Sequence, residues 1–336
     1  MVVSLYVDDL IFTGNDVKML KEFQHSMMAE LKMTDLGELH HFLGIEVHQS
    51  EKGIFISQES YVKKVLKKFM MENANPVSTP CITGLKLSKE GEGKLVNSTI
   101  FRSLVGKLMY LTSTRPDIMY AVSLVSRFME KPYSNHWEAA KRILRYVKGT
   151  IDYGIFYTAN TLVDLIGYTD SDLAGSIDDS RSTSGCVFHL GSGAVSWSSK
   201  KQSVVALSTT EAEYITASYA GFTKDPVLHR RTKHIRIRYH FLRELVNNGD
   251  IQVEYCKTED QMADIFTKPL SGQVFKKNVE RQVWKLLTYK DTFCYHVLSS
   301  KYFPNGDIFH PKVVDKPSYT WTSIATAAKT LENGFD

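Results

Sequence analysis

The sequence predicts an α/β protein built from more than one unit. Three observations carry that prediction. Apolar spacing switches along the chain between the period of a strand and that of a helix. A stretch rich in proline and glycine, residues 73–98, separates an early strand–helix region from a purely helical one. From about residue 162 a strand, a hairpin, a helix, a strand and a helix follow one another, which is a mixed α/β order. A chain of 336 residues is long enough for two or three small domains.

Taken in order, residues 1–14 read as strand, turn, strand. Val17, Leu20, Phe23, Met27 and Leu31 fall on one helical face, which predicts a helix over Val17–Leu31. His41–Val47 and Ile54–Ser57 read as two strands across Glu51-Lys52-Gly53. Val62, Val65, Leu66 and Phe69 mark a helix over Ser60–Phe69 with lysines on its other side. After the linker, helices are predicted at Thr99–Leu111, at Asp117–Met129 just after Pro116, and at Ser134–Val147 with Ser134 as N-cap. Leu162–Thr169 reads as a strand, and Gly185–Leu190 with Ala194–Ser198 as a hairpin across Gly191-Ser192-Gly193. Helices at Leu207–Ala220, Tyr239–Val246 and Glu259–Phe266 and a strand at Gln252–Cys256 complete the pattern. The last sixty or so residues differ: they are aromatic-rich and carry Pro304, Pro311 and Pro317.

Composition narrows the class of function. Hydrophobic residues at 43% and charged residues at 23% are ordinary for a soluble globular protein, and a net charge of +4 says little about partners. Cys81, Cys186, Cys256 and Cys294 lack metal-ligand spacing, which argues against a zinc site or a disulfide framework. There is no apolar run long enough for a membrane helix and no signal-peptide pattern, so cytosol or nucleus is the expected location.

Two constellations point to chemistry. The first is "SLYVDDLIFTG" at 4–14, where Asp8 and Asp9 sit at the tip of a hairpin expected to be buried. Two-metal phosphoryl transfer needs carboxylates fixed at one point, and this pair supplies two. The other reading is a solvated turn, where Asp is common. The second constellation is dispersed. "GYTDSDLAG" places Asp170 and Asp172 near a strand end, and period two sends both to one face. In "ALSTTEAEYITAS", Ser208 and Glu211 form a capping box, which leaves Glu213 without a local role. In "KTEDQMADIFTKPL", Thr258 and Gln261 take the capping roles and leave Asp264 over. Acids from a strand and two helices are how a two-metal nuclease assembles its ligands. Singly, each acid reads as a solvated charge.

The letters around these acids carry a resemblance. "YVDDLIFTG", "LGELHHFLGIEV" at 36–47, "RSLVGKLMYLTSTRPDIMYAVSLVSRFMEKP" at 102–132 and "AAKRILRYVKGT" at 139–150 resemble copia-type retrotransposon Pol polyproteins, from residue 1 to about 272. The resemblance implies a reverse-transcriptase palm remnant over 1–72, a linker over 73–98 and a helical connection over 99–160. A ribonuclease H-like mixed sheet would follow over 161–272. It implies Mg²⁺ of the two-metal type, bound by Asp8 and Asp9 in the palm and by Asp170, Glu213 and Asp264 in the ribonuclease H part. The latter three match the family's catalytic acids, which cut the RNA strand of an RNA–DNA hybrid. The polymerase site of this family also needs an aspartate and fingers that would lie upstream of Met1. Asp8 and Asp9 are therefore expected not to support polymerisation alone, unless a complementing Pol chain supplies the rest.

The chain departs from the family between its "EAEY" and "RTKHI" segments. "ASYAGFTKDPVLHRRTKHI" joins them directly, where the family carries a helix, a strand with "CDN" or a similar triplet, and another helix. The remaining catalytic aspartate is thus missing, and nothing places Asp225 on a strand end. Arg236 stands where the family has an acid, and Lys257 where a proline is usual. A sheet lacking its central strand, with three of four ligands and weakened metal affinity, is the expectation.

The run "HRRTKHIRIRYH" at 229–240 contains Arg230, Arg231, Lys233, Arg236 and Arg238 and no acid. It reads either as a phosphate grip on nucleic acid or as one solvated helix face. Residues 273–336 resemble a segment of plant LINE-type (non-LTR) retroelements and read as a short, mostly helical tail. Three readings of function remain open at this point: a truncated and inactive polymerase–ribonuclease H product, a non-catalytic nucleic-acid-binding remnant, and a decayed reading frame.

Overall fold

The computed structural model describes residues 1–159, 164–222, 244–249 and 251–279. These divide into two units, Met1–Phe42 and the residues from Leu43 onward.

In the first unit, β1 (Val2–Tyr6) and β2 (Asp9–Thr13) pair antiparallel, with Tyr6 opposite Asp9. The loop is therefore Val7-Asp8, and Val7 takes a left-handed φ of 54°, which a β-branched residue rarely adopts. Helix α1 (Val17–Glu30) starts where the Asp16 carboxylate accepts from the Lys18 and Met19 amides at 2.9 and 3.1 Å. Its Phe23 ring meets Phe12 of β2 edge-on at 5.4 Å. A two-residue strand, β3 (His41–Phe42), ends the unit. None of these 42 residues is buried, so the expected buried hairpin tip is corrected: Asp8 and Asp9 are exposed.

The second unit opens with β4 (Ile45–Ser50) and β5 (Gly53–Ser57), joined by Glu51-Lys52. Gly53 has φ 146°, and a Cβ there would stand 2.0 Å from the Tyr157 carbonyl oxygen. That carbonyl belongs to β6 (Gly154–Thr158), which pairs antiparallel with β5. The sequence reading missed β6 and placed these residues in the helical connection.

Four helices lie between β5 and β6 in the chain and pack on one another: α2 (Glu59–Lys68), α3 (Ser98–Leu111), α4 (Met119–Ser126) and α5 (Ser134–Gly149). Asn97 caps α3 through bonds from the Thr99 and Ile100 amides. Two boundaries are corrected. A 3-10 turn at Pro116–Ile118 precedes α4, which stops at Ser126 rather than Met129. The N-cap of α5 is Tyr133, whose amide donates to His136 Nδ1 at 3.0 Å, and Ser134 is the first helical residue. Phe101, Leu104, Leu108, Ile143 and Leu144 are fully buried here.

A buried ion pair fastens the turn before α4. Arg115 donates to both Asp117 oxygens at 2.9 and 2.7 Å and to the Thr150 carbonyl at 2.8 Å. Tyr146 donates to Asp117 at 2.7 Å. A bidentate pair with its remaining groups bonded is the geometry in which a buried charge is tolerated.

The second sheet runs β7 (Leu165–Ser171), β8 (Thr183–Leu190), β9 (Gly193–Lys201), all antiparallel. Helix α5 and β6 lead into it, and Trp197 of β9 donates to the Thr112 carbonyl at 2.9 Å. One apolar core runs from Val62 to Phe275 and includes Val187 and Ala194 of this sheet. Helix α6 (Thr209–Phe222) lies on β7 and β8. The expected strand at 252–256 is corrected: residues 251–257 form no regular element. The expected helix at 259–266 is corrected to two 3-10 turns, Thr258–Asp260 and Met262–Phe266. A helix at 272–279 ends the described residues. Most of the helix expected at 239–246 and nearly all of the tail lie outside them. So does the basic run with Arg230, Arg231, Lys233, Arg236 and Arg238, as does Asp225.

Candidate active site

Asp170 stands one residue from the end of β7, directly opposite Gly185 of β8. That glycine is needed. A Cβ at 185 would lie 2.7 Å from both Phe266 Cβ and Thr267 Cγ2, so only glycine lets the 262–267 segment rest on β8 beside Asp170. Gln261 ties the same segment to β7. Its amide donates to the Thr169 carbonyl at 3.0 Å while its oxygen accepts from the Ala263 amide at 3.1 Å. The anticipated capping box with Thr258 gives way to this pair of bonds. The segment thereby places Asp264, which is buried, and Thr267, whose hydroxyl donates to Asp170 Oδ2.

Helix α6 brings the third acid. Ser208 accepts from the Glu211 amide at 3.1 Å, and Glu211 accepts from the Leu207 amide at 2.7 Å. Glu211 thus serves the helix start, one residue earlier than an ideal capping box. The helix is anchored to the sheet by Gln202, which donates to the Ala212 carbonyl and to Ser184 Oγ, each at 3.0 Å. Thr216 and Ser184 hydroxyls meet at 2.6 Å. Glu213, the fifth residue of the helix, feels the charges of Asp170, Asp264 and Lys268.

The electrostatics are those of crowded carboxylates around one cation. Lys268 Nζ donates to Asp264 Oδ1 at 2.9 Å and stands 3.7 Å from Asp170 Oδ2. Burial pushes the Asp264 carboxyl up. The bond from Lys268 opposes that, and Asp170 adds to it. Glu213 is also raised, first by burial and then by Asp170, with Lys268 opposing. Burial alone would lower Lys268, but its bond to Asp264 and the charges of Asp170 and Asp264 outweigh that and keep it protonated above its usual value. Sequence reasoning missed Lys268. Its position four residues after Asp264 was the only available signal.

Asp172 stands apart from the Lys268 ion pairs but still feels the charges of Asp170 and Lys268. It lies past the end of β7, accepts from the Thr183 amide, and lines a cavity of about 250 Å³ with Lys86, Lys89, Arg127 and Lys201. Burial raises its carboxyl to about 6, against the pull of the Thr183 amide and Arg127. Asp8 and Asp9 belong to the first unit and are exposed on its hairpin.

Among the described residues, no group of three or more acids, histidines or cysteines is placed to hold a metal ion. The carboxylates that converge are already neutralised by an ammonium. As arranged, they do not fit a divalent ion.

Comparison with known proteins supplies the lineage. Residues 1–83 match the family "Reverse transcriptase (RNA-dependent DNA polymerase)". The Pol polyprotein from transposon RE1 of Arabidopsis thaliana is 40% identical over 81% of this chain and 21% of its own length. That from transposon TNT 1-94 of Nicotiana tabacum is 37% identical over 82% of this chain and 24% of its own. A putative transposon Ty5-1 protein of Saccharomyces cerevisiae is 35% identical over 64% of this chain and 71% of its own. The chain belongs to the copia-type retrotransposon Pol family. No solved structure matches it. The Pol chain described here spans about a quarter or less of the length of the polyproteins RE1 and TNT 1-94. Its mixed α/β architecture with antiparallel sheets is consistent with that family. No helix among its described residues is long and apolar enough to cross a membrane.

Proposed function

We propose that residues 164–270 are the ribonuclease H-like part of this Pol chain, acting on the RNA strand of RNA–DNA hybrids. The observation that carries the reading is that Asp170 and Asp264 meet on Lys268, with Glu213 of a third segment close enough to feel all three charges. Gln261 bonds to Thr169 and Thr267 to Asp170, which tie the 3-10 turn to the end of β7, and Thr216 bonds to Ser184 of β8, which ties α6 to the same sheet. An ordinary sheet–helix junction has no reason to bury two carboxylates side by side at a cost in desolvation.

In this reading Asp170 and Asp264 form the floor of the site. Glu213, raised and at the rim, is the acid best placed to exchange a proton with water beside a phosphodiester. The arrangement with Lys268 seated is a resting one, in keeping with reduced activity. The missing stretch between "EAEY" and "RTKHI" leaves the cluster without the family's further aspartate. Asp8 and Asp9 are the palm pair of the reverse-transcriptase segment and do not serve the hybrid-cleaving site.

The test is cleavage of an end-labelled RNA–DNA hybrid by the purified chain, in buffer with Mg²⁺ and then Mn²⁺, beside an Asp170→Asn control. Slow cleavage of the RNA strand, stronger in Mn²⁺ and absent in the control, is expected. Folded protein that cleaves no faster than the control overturns the nuclease reading and leaves binding of the hybrid as the role to be measured.

A further inference from the structure

We propose that the cavity enclosed by residues 85–89, helix α4 and the loop between β7 and β8 is a binding site for a terminal phosphate group. The inference does not rest on the ribonuclease H reading, since Asp170, Glu213 and Asp264 do not line this cavity.

The lining carries an excess of positive charge. Lys86, Lys89, Arg127 and Lys201 are set against two acids, Asp172 and Asp178. Both acids are turned to backbone amides. Asp178 accepts from the Lys89 amide with both oxygens, at 3.0 and 3.1 Å. Asp172 accepts from the Thr183 amide through Oδ1. A Cβ on residue 175 would collide with its Oδ2, so Gly175 is what lets the carboxylate tuck against the loop. Lys201 is taken by Asp179 at 2.8 Å. Among the described residues, the side chains of Lys86, Lys89 and Arg127 form no ion pair.

Arg127 is the anchor. It is half-buried, and its Nη2 donates to the Thr183 hydroxyl oxygen at 3.2 Å. A guanidinium has five N–H donors in a planar fork, so most of them are left over. Holding such a charge away from water without a carboxylate costs free energy, and burial lowers the proton affinity of Arg127 despite the attraction of Tyr120, Asp172 and Asp179. An oxyanion in the cavity offsets that cost with two parallel bonds to the fork. Thr183 is 2% exposed. Its oxygen accepts from Arg127, which leaves its proton to donate to another oxygen of the same group. Burial, then Cys81, raises the Tyr120 phenol, so the hydroxyl of this lining residue also stays a donor. Lys86 and Lys89 are exposed and add two charges at the rim.

These groups select the ligand. A carboxylate or an internal phosphodiester brings one negative charge, whereas a terminal phosphate brings nearly two at neutral pH. Three cations without acid partners favour the terminal phosphate. The volume, about 250 Å³, lies a little below the roughly 300–1,000 Å³ of clefts that enclose a whole drug-sized ligand. The cavity therefore admits the phosphate and the first atoms of its carrier, either a free monoester or the end of a nucleic-acid strand.

The experiment is equilibrium dialysis of the full chain at pH 7.5 against inorganic phosphate, phenyl phosphate and acetate. Both phosphates are expected to bind at one site, with acetate at least about tenfold weaker. Arg127→Gln removes the charge and the fork. It should weaken phosphate binding at least about tenfold, the scale of a lost charge-assisted hydrogen bond. Lys86→Ala combined with Lys89→Ala changes only exposed side chains and should weaken it about threefold. This double variant decides the matter if Arg127→Gln does not fold. A short DNA strand with a phosphorylated end then separates the sources. If it displaces inorganic phosphate at lower concentration than phenyl phosphate does, the carrier is a strand end; if at higher concentration, it is a free monoester. The same strand ending in a hydroxyl should not compete, and equal competition by it overturns the proposal. So does phosphate binding that is absent, or unchanged in a variant with native circular dichroism.

Discussion

At the scale of single residues, burial decides which acids behave unusually, and Asp172 shows it most plainly. Its carboxyl is raised to about 6, first by burial and then by Asp170, against the Thr183 amide and Arg127. An unfolded aspartate ionises near 4. The folded chain therefore holds this proton more tightly than the unfolded chain. Its contribution to stability is fully present below about pH 4 and is lost as pH rises through about 6. Asp172→Asn keeps an oxygen to accept from Thr183 and removes the ionisation. It should be about 1–2 kcal/mol more stable than the native chain at pH 7, after allowance for solvent screening, with the difference closing by pH 4. Urea midpoints at the two pH values check this. A difference that does not change with pH would mean that the Asp172 carboxyl is solvated after all. Asp264 and Glu213 are shifted in the same direction, so they add to the same slope and do not mask it.

At the scale of elements, the site depends on one strand tolerating close approach. Gly185→Ala puts a methyl 2.7 Å from Phe266 and Thr267, and the 262–267 segment must lift from β8. Overpacking of this kind costs about 1–3 kcal/mol. The variant should therefore melt earlier and lose the Thr267 and Lys268 contacts to Asp170, with hybrid cleavage falling with them. A variant as stable as the native chain would mean the segment does not rest there. This dependence also marks what was legible in the sequence. Helices α1 and α2 could be read because apolar spacing is a local signal, while the caps Asp16 and Asn97 of α1 and α3 went unread. Strand β6 could not, because its five residues follow a long helix and pair with β5 far back in the chain. The region Glu259–Phe266 reads as one helix. The structure breaks it because Gln261 bonds to β7 instead of continuing a helix. Glu213 and Asp264 were singled out by subtraction, once capping had been assigned to Ser208 with Glu211 and to Thr258 with Gln261, and the second of these boxes does not form. Lys268 was not, since its role exists only where β7 and the 3-10 turn meet.

At the scale of the whole molecule, the chain divides into a part with a core and a part without one. In the second unit, Phe101, Leu104, Val105, Leu108, Ile143 and Leu144 are fully buried, and the same core reaches Phe266 beside the acidic cluster. In the first unit no residue is buried, and Val2, Leu5 and Val7 are 68%, 70% and 83% exposed. Burial of apolar area is the main term that offsets chain entropy, so the two parts cannot share one opening free energy. A two-stranded hairpin with one helix against it opens at little cost, while helices with a common core open only near global unfolding. Amide hydrogen exchange of the intact chain should therefore show β1, β2 and α1 exchanging at least about a hundredfold faster than α3 and α5. The strained φ at Val7 acts in the same direction, since it weakens the hairpin at its turn. Equal protection in both units would overturn this division and require apolar partners for the hairpin that the described residues do not provide. With the expected result, mild denaturant would melt the segment carrying Asp8 and Asp9 first. The Asp170, Asp264 and Lys268 cluster, beside the core of the second unit, would stay assembled.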